Sequence, residues 1–86
     1  MQTQRPQPKL TYPCEWVYVL IGASEVELRS AIEHVVANKR HTVALSHTSA
    51  KGKYISFKVL VVVHNDDERT GIYHAFHTHP ATKLVL

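Results

Sequence analysis
Between Glu15 and Ile21 the chain reads EWVYVLI, β-branched and aromatic throughout, and meets Gly22 immediately afterwards. A run apolar at odd and even positions alike predicts a strand buried on both faces, central in its sheet. At Ser24 the pattern changes. Its hydroxyl can accept from the Glu27 amide while the Glu27 carboxylate reaches back to the Ser24 amide, a capping box. Leu28, Ala31, Ile32, Val35 and Val36 then recur at helical spacing opposite Glu27, Arg29, Ser30, Glu33 and His34, so a helix is expected from about Glu25 to Ala37. Val43, Leu45 and His47 alternate with Thr42, Ala44 and Ser46, which predicts an edge strand with one buried face. After the glycine-containing turn AKGK, a long β-branched run from Tyr54 to Val63 completes a hairpin. NDDE provides Asn65 or Asp66 as the cap of a second helix. Ile72 and Phe76 are its core contacts and His79-Pro80 its end. Arg69, Thr70 and Gly71 offer no apolar anchor, so the first half of this helix reads as weak. TKLVL closes the chain as a short strand.

The element order is βαββαβ. With right-handed crossovers this is an α+β, ferredoxin-like split βαβ sandwich, one four-stranded antiparallel sheet with two helices on one face. Residues 1–11 lack apolar periodicity and are expected to form a disordered tail before a single domain over 12–86. Sheet parity then becomes the central question, because one face carries no helix. The larger side chains, Trp16, Tyr18 and Leu20 with Phe57, Val59, Val61 and Val63, should fill the only core. Val17, Val19, Ile21, Leu60 and Val62 are left on the open face, joined by Val85 if the last strand pairs beside the first. Contiguous exposed apolar area marks an interface, so the pattern predicts a homodimer packed sheet to sheet, or a protein partner docked there. With reversed parity Trp16, Tyr18 and Phe57 would be presented for base stacking, with Lys51, Lys53 and Lys58 for phosphates. The third strand lacks the sequence pattern of RNA-recognition sheets, which argues against nucleic acid.

Composition narrows the function classes. With 44% hydrophobic and 20% charged residues the chain has the balance of a folded domain. At 86 residues there is little room for a buried catalytic cleft. The net charge of +3 is scattered and favours only weak contact with acidic partners. Cys14 is the one cysteine, no export leader is visible, and the longest apolar run, VLVVV at 59–63, is far shorter than the ~20 residues of a spanning helix. The cytoplasm is the expected compartment, with no membrane contact. No paired carboxylates, nucleophile elbow, phosphate loop or cysteine-pair metal motif is present, so the reading is non-enzymatic and without cofactor.

Two segments are candidate ligand sites. Gly22, Ala23 and Ser24 stand before a capped helix N-terminus, where free amides suit a small anionic or amino-acid-like ligand. The competing role for Gly22 is simply to let the chain turn. Lys51, Lys53 and Tyr54 form a basic hairpin tip. His74, His77 and His79 crowd one stretch, but on a helix carrying Ile72 and Phe76 inward the first two face solvent and the third lies past the last turn. They do not converge as a metal centre needs, and no metal is assigned. Cys14 reads as a packing residue.

YPC at 12–14, IG at 21–22, SAKGKYIS at 49–56, IY at 72–73 and HPATKLVL at 79–86 carry a resemblance to the YbeD-like family of small bacterial proteins. Arg69 and Thr82 depart from it, standing where that family usually has an aliphatic residue and a valine. The resemblance implies a ferredoxin-like fold similar to ACT regulatory domains, which bind amino acids in the loop equivalent to Gly22–Ser24. A lipoate-related regulatory role has been attached to some members. Together the resemblance and the residues point to a regulatory or ligand-sensing module, with a nucleic-acid-binding adaptor as the alternative.

Overall fold
Strand and helix formation follow the hydrophobic pattern in the computed structural model, which describes residues 11–48 and 52–86. The elements are β1 (Cys14–Gly22), α1 (Glu25–Val36), β2 (His41–Thr48), β3 (Ile55–Val63), α2 (Asp66–Thr78) and β4 (Leu84–Val85). Neighbouring strands are antiparallel throughout, in the order β2-β3-β1-β4. This is the expected ferredoxin-like arrangement, with β1 and β3 central. The predicted tail, apart from Thr11, lies outside the described residues, as does Lys51. Among the described residues no helix is long and apolar enough to cross a membrane.

A single core forms on one side of the sheet. Tyr18 and Leu20 of β1 and Phe57, Val59, Val61 and Val63 of β3 are buried against Leu28, Ala31, Ile32 and Val36 of α1 and Ile72 and Phe76 of α2. Each aliphatic or aromatic side chain so buried contributes roughly 1.5–3 kcal/mol of transfer free energy. Trp16 lies on the same side but is only half-buried. Strand parity is thus as expected for β1 and β3. Ser24 caps α1 by accepting from the Glu27 amide at 3.2 Å, and Asn65 caps α2 by accepting from the Glu68 amide at 2.7 Å. Asn65, of the two candidates, is the cap. His79 closes α2, its amide bonding to the Phe76 carbonyl at 3.2 Å.

Three details depart from the sequence reading. Val85 pairs with Leu20, takes the helix side and is buried, so its expected place on the open face is corrected. The register is set by main-chain bonds, Lys83 N to Ile21 O at 2.7 Å and Leu86 N to Val19 O at 2.8 Å, which put Leu84 and Leu86 on the open face instead. In β2 the register shifts between Leu45 and His47, so the strict alternation breaks: Leu45 stands opposite Phe57 and His47 opposite Ser56. Finally, the start of α2 is not weakly held. The Arg69 guanidinium lies 4.7 Å from the centroid of the Trp16 ring and donates to Tyr12 Oη at 3.2 Å, while Tyr18 Oη donates to the Arg69 carbonyl at 2.6 Å. A cation–π contact and two hydrogen bonds replace the missing apolar anchor.

Candidate functional site
The open face is built from the residues of β1 and β3 that the helices do not cover. Three cross-strand rows define it: Glu15 opposite Val62, Val17 opposite Leu60, and Val19 opposite Lys58. Ile21 continues β1 opposite Leu84 of β4, and Thr42 and Ala44 of β2 flank Leu60 and Lys58. Val17 is 47% exposed, Leu84 48% and Leu86 65%, although all are apolar. Val19, Ile21, Leu60 and Val62 are half-buried between them. Adjacent strands place such side chains within contact of one another, so the apolar surface is continuous. Its charges lie at the ends, Glu15 and Arg40 in the row of Val62 and Lys58 two positions before Leu60 at the other end. A shallow depression of about 290 Å³ borders the Glu15 end, lined by Arg40, His41, Thr42, Leu60 and Val62 as well. Trp16, Tyr18 and Phe57 are on the other side of the sheet, and no tryptophan, tyrosine or phenylalanine occupies an open-face strand position among the described residues.

The two candidate ligand segments come to the same end of the sheet, because Gly22 pairs with Ile55. Gly22 is buried, and a Cβ added there would lie 2.5 Å from the Ala81 carbonyl oxygen and 2.9 Å from Leu28. The glycine is required by this close approach, since its φ is not positive. Ser24 is engaged as the α1 cap, and Glu25 and Glu27 already place carboxylates in the first turn, which opposes a second anion. Lys53 and Tyr54 are exposed beyond β3, after Gly52 with its φ of 66°.

The histidines divide as the helix geometry requires. His74 and His77 both flank Tyr73, whose ring stacks on His77 at 5.7 Å. His79 instead accepts from the Ala81 amide through Nδ1 at 3.1 Å and lies beside His34. Cys14 is half-buried against the core.

Sequence reasoning missed Glu68. Given no role in the sequence beyond its place in NDDE, it accepts from Lys39 Nζ at 2.7 Å and from the His64 amide at 2.7 Å, and its carboxylate lies 3.0 Å from His64 Nδ1. Its spacing three residues after Asn65 was the available signal, although the amide it accepts from is that of His64, one residue before the cap. Lys39 first, then His64, hold its pKa down at about 2 from an ordinary 4.5. A depressed carboxylate stabilises the fold above its unfolded pKa, and that stabilisation is lost as pH falls through the folded value. Both partners are partly exposed, so the effect is set at about 1 kcal/mol. Glu68→Gln is therefore expected to lower stability by about that much at neutral pH and by much less near pH 2, where the carboxylate is half protonated. Urea melts at both pH values check it; an equal loss at each would contradict the ion-pair account.

A second surface feature is a groove of about 420 Å³ between β1 and α2, lined by Trp16, Val17, Arg69, Tyr73, His74 and Leu86 among others.

Comparison with known proteins agrees with the fold. A family model described as "Protein of unknown function (DUF493)" matches residues 7–86. The chain is 28% identical over 69 residues to the uncharacterized protein Cj0253 of Campylobacter jejuni, spanning 80% of this chain and 79% of that one. It is similar to the solution structure of protein HP0495 from H. pylori, with a TM-score of 0.83 at 25% identity, covering 100% of this chain and 94% of the other. A second solution structure of HP0495, from Helicobacter pylori, superposes with a TM-score of 0.65 at 23% identity, over the whole of both chains.

Proposed function
We propose, for a chain that belongs to the DUF493 family of proteins of unknown function, a non-enzymatic regulatory module that acts by binding, with the open sheet face as its contact surface and a second copy of the chain as occupant. This is the family of the YbeD-like proteins that the sequence resembles. The observation that carries the reading is the continuous apolar patch around the Val17–Leu60 pair, exposed where a monomer would normally be polar. A two-fold axis along the Val17–Leu60 row, between two facing sheets, buries the same apolar rows on both copies and leaves Glu15 and Arg40 of one copy beside the Lys58 end of the other at the rim. A protein contact suits this surface better than a small anion does, since it offers many apolar side chains and few donors.

Sedimentation velocity at high micromolar concentration tests the reading. The wild-type chain should sediment as a dimer, while Val17→Asp and, separately, Leu60→Asp should sediment as monomers with unchanged circular dichroism. A monomeric wild-type protein at that concentration would overturn the self-association.

A further inference from the structure
The groove between β1 and α2 runs beside a strand edge whose main chain is unmet. β3 pairs with all of β1 from Cys14 to Gly22, but on the other side β4 pairs only with Leu20 and Ile21, and its hydrogen bonds reach no further than Val19. In an antiparallel strand the amide and carbonyl of alternate residues point to the same side. Val19 and Ile21 point theirs at β4. Val17 and Glu15 are the next two in that series. Among the described residues nothing bonds to their outward groups, so the first half of β1 presents an open edge in line with β4.

What flanks this edge is chemically specific. On the helix side lie Trp16, Arg69, Thr70, Tyr73 and His74, around about 420 Å³ of open volume. No carboxylate side chain lines it, whereas Arg69 and His74 do. The Arg69 side chain, with its guanidinium 4.7 Å from the Trp16 ring centroid, is 25% exposed, its Nε given to Tyr12 and Asp66 only at 3.6 Å. A guanidinium has five N–H donors in a rigid fork, so donors remain for an incoming carboxylate.

We infer that the outer edge of β1 is a strand-addition site for an extended segment of a partner protein. Main-chain bonds to Glu15 and Val17 hold the segment, and an acidic side chain beside an apolar or aromatic one enters the groove at Arg69 and His74. Alternate residues of an added strand face the same way, so the acid and the apolar residue should stand two positions apart. The site lies beside the sheet face and requires no dimer across it. The test is therefore run on the Leu60→Asp chain, so that failure here and failure of the self-association reading are distinguishable.

The probe is a phage-displayed library of random linear peptides, followed by amide exchange measured by NMR with and without the selected peptides. In the free chain the Glu15 and Val17 amides should exchange rapidly while those of Trp16 and Tyr18 are protected by β3. Selected peptides should carry Asp or Glu two positions from Tyr, Phe or Leu and should protect Glu15 and Val17. His74→Glu should weaken binding roughly tenfold or more, and so should Val17→Pro, which removes the outward donor and no hydrogen bond to β3. Exchange of the β3 amides reports whether each variant keeps its fold. Three results would overturn the inference: slow Val17 exchange in the peptide-free monomer, which would mean that the same chain covers the edge; protection that grows with protein concentration alone, which would mean a second copy does; or selected peptides that perturb no residue from Glu15 to Tyr18.

Discussion

Gly22→Ala is expected to destabilise the domain by about 3 kcal/mol, the upper part of the range for overpacking a tight site. The added methyl group would lie 2.5 Å from the Ala81 carbonyl oxygen and 2.9 Å from Leu28. Leu28 is a fully buried residue of the α1 core stripe, so it has nowhere to retreat. The carbonyl is main chain, and it is tied into the turn that delivers β4: two residues on, Lys83 donates to Ile21 at 2.7 Å. Moving Ala81 therefore loosens Lys83–Leu86 from β1, and Val85 leaves the core with it. Urea unfolding gives the loss, and faster exchange of the Leu86 amide, bonded to Val19 at 2.8 Å, locates it at β4. The result also decides between two roles of the glycine. A loss below about 0.5 kcal/mol, the size of an ordinary surface substitution, would show that Ala81 yields easily and that close packing does not require the glycine.

How far the sequence disclosed the fold can be traced to particular residues. Parity in β1 and β3 was readable because each strand is nine residues long and carries its larger side chains at one parity. Val85 was misplaced because β4 has only two residues and therefore no period; its face follows from a main-chain register that no side-chain pattern encodes. The shift in β2 was invisible for the opposite reason, since HTVALSHT continues to alternate through the irregularity. Gly22 was singled out, yet as a turn or an anion loop, because the carbonyl it must accommodate belongs to Ala81 at the far end of the chain. Arg69 looked like a poor helix residue by local propensity. Its partners, Tyr12 at 57 positions' separation and Trp16 on the facing strand β1, are contacts in space alone. The open face was legible because it is the complement of the core, whereas the β1–α2 groove depends on where β4 stops.

Phe76→Ala is expected to cost about 3–5 kcal/mol, the loss typical of a fully buried phenylalanine truncated in a core. Phe76 is wholly inaccessible and meets the Tyr18 ring edge to face at 5.6 Å. In the thirteen residues of α2 only Ile72 and Phe76 are buried, so the variant leaves one apolar anchor for the whole helix. A helix of that length is marginal in water without its packed face. The remaining attachments, Arg69 to Trp16 and Tyr12, Tyr18 to the Arg69 carbonyl and Lys39 to Glu68, are each worth about 1 kcal/mol and hold the helix's first half, so they cannot replace the ring. Because a domain this small has only about 5–10 kcal/mol in total, the variant should stand close to unfolding at room temperature. Phe76→Leu, which keeps much of the volume, should lose far less. Urea midpoints measured at two protein concentrations extend the test to function. If the open face pairs two copies, unfolding of the wild type and of both variants shifts to higher urea as concentration rises, because dissociation is linked to unfolding. A repacked α2 leaves the sheet's far side intact but shifts Tyr73 and His74 in the wall of the β1 groove. Phe76→Leu should accordingly keep the concentration dependence and weaken peptide binding at the edge. Loss of both together would mean that the two surfaces are one coupled site.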